Sequence, residues 1–356
     1  RGASLQDSGK RNETQPPDAG MNLDFLSAGG YDAGMTFGGT FEGSVNLPLH
    51  RKTAMRRDVP VAVELPESLR VPLCVDGKRS AKCVVAPGDV VAAGEPLGEF
   101  SGGGYLVAPV SGIVGEIVRT EICVGRGCFE VDAVEMHDLH YPTSSAEPSP
   151  EPESESRTSE ELFELLSRAG LFVRGERITE LGRWMSHIRK SKATRLVVSL
   201  LEDEPYASSR HAVAAHFGKW VALGARAIAK ACGLDTIEIL VDASELSAYD
   251  ELAAEAGMSH IAVEGKFPIA TKRLLKQFAG RGSAILDGIV ACQAGQSLCG
   301  ELTCRGSVVT VAGENQNSPR VILVPDGMAL RDIVADAAGP MIAGGAMRGQ
   351  LARETA

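Results

Sequence analysis

The chain has no long apolar run, few aromatics, no excess of positive charge and no closely spaced cysteine pair. Each absence removes a class of function. No apolar run reaches the roughly 18 residues that a bilayer-spanning helix needs. The first 30 residues are polar and Gly-rich, without the apolar centre of a secretory signal. A cytoplasmic location is therefore expected, with any membrane contact made through a partner. The net charge of −10 argues against a nucleic-acid grip, which needs clustered Lys and Arg to neutralise phosphates. With aromatics at 5%, the core must be built mainly from Ala, Val, Leu and Ile. None of the eight cysteines, Cys74, Cys83, Cys123, Cys128, Cys232, Cys292, Cys299 and Cys304, stands in a C-x-x-C pair, the usual mark of a zinc or cluster site. Val-Gly-Arg-Gly separates Cys123 from Cys128, a loose spacing for metal ligands. Free thiols in a reducing compartment are the expectation, and neither a catalytic residue nor a metal site is singled out.

What is present is ordinary globular composition, 44% hydrophobic and 23% charged over 356 residues, enough for two or three domains. Residues 1–34 have the composition of a disordered segment, and Met35 opens the first organised stretch and is a candidate start residue. Residues 60–138 are rich in short Val-containing runs punctuated by Gly and Pro, as β-strands are. CVVAPGDVVAAGEPLGEF and YLVAPVSGIVGEIV look related and resemble the two halves of biotinyl and lipoyl carrier domains. Those carriers hold their cofactor on a Lys between the halves, and PLGEFSGGGYLVAP has no Lys. A structural β-sandwich is the better reading.

Pro142, Pro148, Pro150 and Pro152, interspersed with Glu and Ser, make residues 142–157 a solvated linker. Thr158-x-x-Glu161 then reads as a capping box, with Leu162, Leu165, Leu166 and Ala169 on one helical face and Gly170 at the C-terminal cap. RLVVSLL (195–201), TIEILVDA and HIAVEG read as strands. They alternate with an Ala-rich helix from about Ser208 to Ala231 and with SELSAYDELAAEAG, the pattern of a parallel sheet. From Ser307, two strands, the helix MALRDIVADAAG capped by Gly339 and a return strand suggest a β-grasp-like module. The expected class is α/β: a β half-barrel sandwich over 35–141, a Rossmann-like parallel domain over 158–303, a β-grasp-like module over 304–350 and a tail over 351–356.

Several phrases, in this order, resemble the RnfC (RsxC) family, the peripheral component of the Rnf electron-transport complex that is related to the flavin-bearing subunit of respiratory complex I. TFEGSVNLPLHRKTA is similar to the family's opening. The LPESLRVPLCVDGKRSAKCVVAPGDVV stretch is similar to its half-barrel, with residues 75–81 in place of a His-Ile-Gly-Ala-Pro segment. VVSLLEDEPYASS resembles the N-G-A-E-C-E-P-Y turn, and SVVTVAGENQNSPRVILVPDGMALRDIV resembles the module called SLBB. The resemblance implies a flavin mononucleotide (FMN) in the parallel domain, hydride from NADH, and association with other subunits of an electron-transport complex or with a reductase such as D-proline reductase. It also implies a location peripheral to the inner membrane. On matching positions Glu202, Glu204 and Tyr206, with Lys266 of VEGKFP, form the implied flavin and NADH face. Ser199 and Asp203 replace the family's Asn and Cys, and Cys292 stands where GIVACQAGQSLCG would place a flavin-contacting Asn at a strand end. The [4Fe–4S] ligands that follow the SLBB module in the family do not occur in this sequence.

The family's flavin phosphate rests on a G-L-G-G-A-G-F-P-T loop, whose bare backbone lets N–H groups approach the anion. Here the same interval reads GLFVRGERITELGRW (170–184). Ile178 and Thr179 are β-branched and resist left-handed backbone. ERITELGRWMSHIRK reads instead as an amphipathic helix with Ile178, Leu181, Trp184 or Met185, and Ile188 on its buried face. Arg174, Arg177 and Arg183 offer a side-chain alternative for phosphate. Three functions remain: an RnfC-like electron-transfer subunit, a relative that serves as a docking scaffold without flavin, or a ligand-binding protein whose SLBB-like module or half-barrel recognises a small molecule.

Overall fold

The computed structural model of the chain describes residues 35–39, 59–124, 127–142, 156–174, 177–249, 252, 257–265, 267–300, 306–313, 319–334, 341–345 and 347–352. The expected disordered segment at 1–34 and nearly all of the expected linker lie outside these residues.

Strand β1 (Met35–Gly39) and strand β2 (Val61–Ala62) come first. The half-barrel follows: β3 (Ser68–Pro72), β4 (Lys82–Cys83), β5 (Val90–Val91), β6 (Pro96–Glu99), β7 (Tyr105–Val107), β8 (Ser111–Val124) and β9 (Gly127–His140). A four-stranded sheet in the order β3-β9-β8-β5 faces a three-stranded sheet in the order β4-β6-β7. Leu97, Phe100, Val114, Val134 and Met136 fill the space between them. Burying each such side chain contributes about 1.5–3 kcal/mol.

Two like turns set the curl. In Ala86–Asp89 and in Ala92–Glu95 the acid side chain accepts the N–H of the alanine that opens the turn, at 2.8 and 2.9 Å. Gly88 and Gly94 take the positive φ that the third turn position demands. The Pro-Gly-Asp and Gly-Glu-Pro turns of CVVAPGDVVAAGEPLGEF are thus the same device used on either side of β5.

The α/β region begins with α1 (Ser159–Arg168), where the capping box forms as read: Thr158 is the N-cap and Glu161 reaches back to its N–H. Leu162 and Leu166 are buried, while Leu165 is largely exposed. A hairpin of β10 (Phe172–Arg174) and β11 (Ile178–Glu180) comes next, then α2 (Leu181–Arg189). The helix expected from Glu176 therefore starts five residues later. Ile178 and Thr179 favour extended backbone and pair with Arg174 and Val173. Leu181 and Met185 occupy the buried face of α2.

The sheet itself comprises β12 (Arg195–Ser199), β13 (Thr236–Asp242), β14 (Ser259–Gly265) and β15 (Ser283–Asp287). All neighbours are parallel, in the order β1-β14-β13-β12-β15. Between these strands run α3 (Ser209–Cys232), a 3-10 turn (Ala243–Ala248) and α4 (Lys272–Ala279), and α5 (Gly288–Leu298) follows β15. The stretch GIVACQAGQSL, expected as a strand end, is α5. Asp287 caps it by accepting the N–H of Ile289 at 2.9 Å, and the strand is the preceding SAILD. Both sheet faces are covered. Leu196, Val198, Ile239 and Leu286 meet the helices α1, α2, α3 and α5, while Val197, Leu240, Ile261 and Val263 meet α4. Helices α3 and α5 cross closely because Gly224 and Gly295 lack side chains: a Cβ on either would strike the carbonyl of Ala291 or Trp220.

Strands β16 (Gly306–Val311) and β17 (Arg320–Pro325) form an antiparallel pair, and β2 joins β17 in parallel. A single turn, α6 (Leu330–Ile333), covers a small core of Val311, Ile322, Val324 and Ile333. The described part ends in a hairpin of β18 (Ile342–Ala343) and β19 (Gln350–Leu351). Two strands from the N-terminal part thus pair outside the half-barrel: β1 on the parallel sheet and β2 on the last module.

Candidate functional site

After β12 the chain moves to β13 and β14 on one side, then returns to β15 on the other. The strand order therefore reverses between β12 and β15, the place where open α/β sheets bind ligands beyond the carboxyl ends of their strands. The turn after β12 carries Glu202, Asp203, Glu204 and Tyr206, and β15 ends at Asp287.

Arg210, in the first turn of α3, fills this crevice. Its guanidinium lies 2.6 Å from Asp287, 2.9 Å from Asp203 and 3.6 Å from Glu202. Burial alone would favour losing its proton, but the three carboxylates hold its pKa well above the ordinary value. Glu202 also accepts the backbone N–H groups of Arg210 and His211 at 2.7 and 3.1 Å. It supplies the cap that the side chain of Ser208 does not give to α3. Burial is the main cause that raises the pKa of Glu202, against the pull of Arg210. Its Oε2 is enclosed and makes no hydrogen bond. At Asp203 burial works in the same direction, but Arg210 and Arg348 together outweigh it and the pKa is lowered.

Glu204 is engaged from the C-terminal hairpin. Arg348 Nε and the backbone N–H of Met347 donate to its two carboxylate oxygens, both at 2.7 Å. Gly345 packs so closely on Glu204 that a Cβ would overlap the carboxylate. Arg348 also reaches Asp203 at 2.8 Å. Tyr206 holds a left-handed backbone with φ of 65°, sparsely populated for a residue with a side chain, and is exposed. Glu202, Glu204 and Tyr206 are thus brought together at the switch point. Lys266 lies outside the described residues. Sequence reasoning missed Arg210, Asp287 and Arg348. An Arg directly after the Ser-Ser pair that opens an Ala-rich helix, downstream of three acids, was the available signal for Arg210.

The neighbouring stretch 170–184 is closed in a different way. Glu180 is buried and receives Arg79 Nη1 at 2.9 Å, and Arg79 Nη2 donates to the carbonyl of Ile178 at 2.9 Å. Asp76 fixes Arg79 from behind. Burial disfavours the charge on Arg79, but Glu180 and Asp76 outweigh it and raise its pKa. Gly104 of the half-barrel packs on the stem of Glu180. Arg174 is exposed and donates to Ser307 at 3.3 Å, and Arg177 and Arg183 are exposed. Cys292 is buried within α5, and burial drives its thiol pKa far up.

The half-barrel that supplies Arg79 is also the part of the chain with a family likeness. Residues 39–137 match the RnfC barrel sandwich hybrid domain. The resemblance to RnfC seen in the sequence therefore holds over this part of the chain. No curated protein matches the chain. Among solved structures, the chain is similar to an NAD+-reducing [NiFe]-hydrogenase in the H2-reduced state, with 13% identity, 56% of this chain and 43% of that chain covered, and a TM-score of 0.45. The same enzyme in the air-oxidised state gives 13% identity, 52% and 40% coverage, and a TM-score of 0.42. The chain spans less than half the length of either.

The fit of FMN can be judged from these residues. A phosphate cradle needs bare backbone N–H groups converging on an anion. The described residues of the interval are instead a paired hairpin carrying Arg174, Ile178 and Thr179, with the buried carboxylate of Glu180 beside it. At the crevice four carboxylates, Glu202, Asp203, Glu204 and Asp287, face two guanidiniums, an excess of negative charge that repels a phosphate. The described residues do not fit FMN held on a backbone phosphate cradle.

Proposed function

We propose that the chain is an RnfC-like electron-transfer subunit of a multi-subunit redox complex, in which the α/β domain docks and orients partners and does not carry flavin. The observation that carries this reading is the RnfC-type half-barrel joined through Arg79 and Glu180 to a sheet whose switch-point crevice is filled by Arg210 and Arg348. Residues 35–141, 158–303 and 304–350 are read as half-barrel, Rossmann-like and SLBB-like domains, the last supported by the β16–β17 pair and its small core. Partners are other subunits of an electron-transport complex or an amino-acid reductase, with NADH as the electron source for the complex. No helix among the described residues is long and apolar enough to cross a membrane, which accords with a subunit that attaches through partners. In the alternative, catalytic form of this reading, Glu202, Glu204, Tyr206 and Lys266 would face an isoalloxazine ring.

The test is affinity purification of the tagged full chain from its native cells. Expected is a colourless chain that brings down subunits bearing flavin or iron–sulfur clusters. A chain that stays alone, or one that itself carries stoichiometric flavin, contradicts the proposal.

A further inference from the structure

The β8–β9 hairpin outruns the sheet it belongs to. Strand β3 pairs with β9 only over residues 133–137, and β5 pairs with β8 only at residues 112 and 113. Strands β8 and β9 continue to pair with each other out to Val124 and Gly127. The outer half of the hairpin is therefore a two-stranded ribbon. Near its end Cys123 and Cys128 stand directly opposite each other and are joined as a disulfide, with a Cα–Cα distance of 4.2 Å. This corrects the expectation of free thiols at both positions.

The bond adds little to the fold. It joins residues with a sequence separation of 5, and so short a loop restricts the unfolded chain least. The ribbon's register is already fixed by the pairs on either side, Ile122 with Phe129 and Val124 with Gly127. Its position is more informative. Phe129 lies against Gly77, two residues before Arg79. Gln350, two residues after Arg348, donates to the carbonyl of Gly127 at 3.4 Å. The end of the hairpin that carries the sulfurs thus touches both the segment of Arg79, which clasps Glu180, and the segment of Arg348, which closes the crevice. They are half-buried, and a Glu121 carboxylate oxygen lies within 4.8 Å of both. Of the other described thiols, Cys74, Cys232 and Cys292 are buried and Cys83 and Cys299 are half-buried, and burial pushes Cys232 up to about 12.

We propose that Cys123 and Cys128 form a reversible dithiol–disulfide pair that exchanges two electrons and two protons with a dithiol protein. A thiolate of the partner attacks one sulfur, the Cys123–Cys128 bond breaks, and a mixed disulfide forms while the released cysteine takes up a proton. The partner's second thiolate then attacks the mixed disulfide. It leaves as an oxidised partner, and the second cysteine takes up a proton. Glu121 is placed to hand over or accept these protons. The reverse sequence oxidises the pair. The proposal deepens the electron-transfer reading by giving the chain a two-electron carrier of its own. It rests on that reading for the identity of the partner, not for the chemistry.

The experiment uses the oxidised wild-type full chain and reduced thioredoxin as the probe dithiol. Thiols are counted by alkylation under native conditions followed by peptide mass analysis. Expected is a gain of two alkylated thiols per chain, at Cys123 and Cys128, reversed by oxidised thioredoxin. With thioredoxin lacking its resolving cysteine, the oxidised wild-type chain should accumulate a mixed disulfide at Cys123 or Cys128, and Cys128→Ser, which has no disulfide to attack, should not. A pair that opens only after denaturation is a structural crosslink and overturns the proposal. So does a reduced pair that fails to exchange but binds Zn2+ with Glu121, the outcome for a metal site. The same samples titrated with FMN read the other proposal separately: flavin binding with intact exchange removes only the docking-scaffold reading, and absent exchange in a flavin-free chain removes only the thiol proposal.

Discussion

Arg79 and Arg210 both end on buried carboxylates, yet they work in different electrostatic settings. Arg79 reaches across from the half-barrel to one buried acid, Glu180, and is itself about a third exposed, with a side-chain accessibility of 35%. Arg210, in the first turn of α3, is only 16% exposed and faces Glu202 and Asp203 of the turn after β12 together with Asp287 at the end of β15. A cation held between one acid of its own turn, Asp76, and one across the contact, Glu180, gives a local, geometry-dependent clasp. One that sits among three holds the acids in place against their mutual repulsion, and its removal exposes all of them to it. The first is a clasp between segments, and the second is a keystone of the crevice.

Substitutions can break this distinction in order of expected effect. Arg210→Met should be the most damaging, because it leaves three enclosed carboxylates without their common cation. A loss of about 3–5 kcal/mol is expected, measured by denaturant unfolding. Arg79→Ala should cost about 1–3 kcal/mol, since Glu180 stays buried but Arg79 had partial access to water. Its distinguishing sign is earlier proteolysis within 170–180 with the parallel sheet still protected from hydrogen exchange. Equal losses in the two variants would erase the contrast.

Smaller effects sharpen it through pH. The raised pKa of Glu202 means that its contribution favours the folded state fully below its unfolded value near 4.5 and is lost as pH rises through the folded pKa. Asp203 behaves oppositely. Its stabilising contribution is present above 3.8 and is lost as pH falls through its lower folded pKa. Glu202→Gln should therefore be tolerated near neutral pH within about 1 kcal/mol, whereas Asp203→Asn should destabilise there and approach the wild type in acid. Urea midpoints across pH 3–7 (roughly the range where carboxylates titrate) would show the two crossing trends. Arg348→Ala should have the least effect on global stability, about 1 kcal/mol or less, because its side chain is half-exposed. It should chiefly free the 342–351 hairpin, visible as faster amide exchange at Met347.

Local pattern made much of this fold legible. The capping box at Thr158, the strands at 195–199 and 236–242 and the turn glycines Gly88 and Gly94 each rest on interactions within a few residues. The helix expected at Ile178 failed because periodicity weighs a 15-residue window, whereas Arg79, about a hundred positions away, decides what the segment packs on. Cys292 was misplaced for a related reason: a short apolar run such as GIVACQAG fits a buried strand or a buried helix equally well, and only the crossing at Gly224 and Gly295 selects the helix. At the candidate site the acids were visible as a cluster. Their neutralisation by Arg348 was not, since nothing in GGAMRGQ announces a contact with a turn so far back in the chain. The pairing of Cys123 with Cys128 depended on hairpin register, which spacing alone does not fix.

Titrating FMN into the purified full chain, read by flavin fluorescence and by the thermal midpoint of the protein, tests the closed crevice most directly. The expected result is no saturable quenching and no shift in midpoint in the wild type. Saturable binding that raises the midpoint, weakened by Glu204→Gln, would show that Arg210 and Arg348 leave room for flavin and would contradict the scaffold reading.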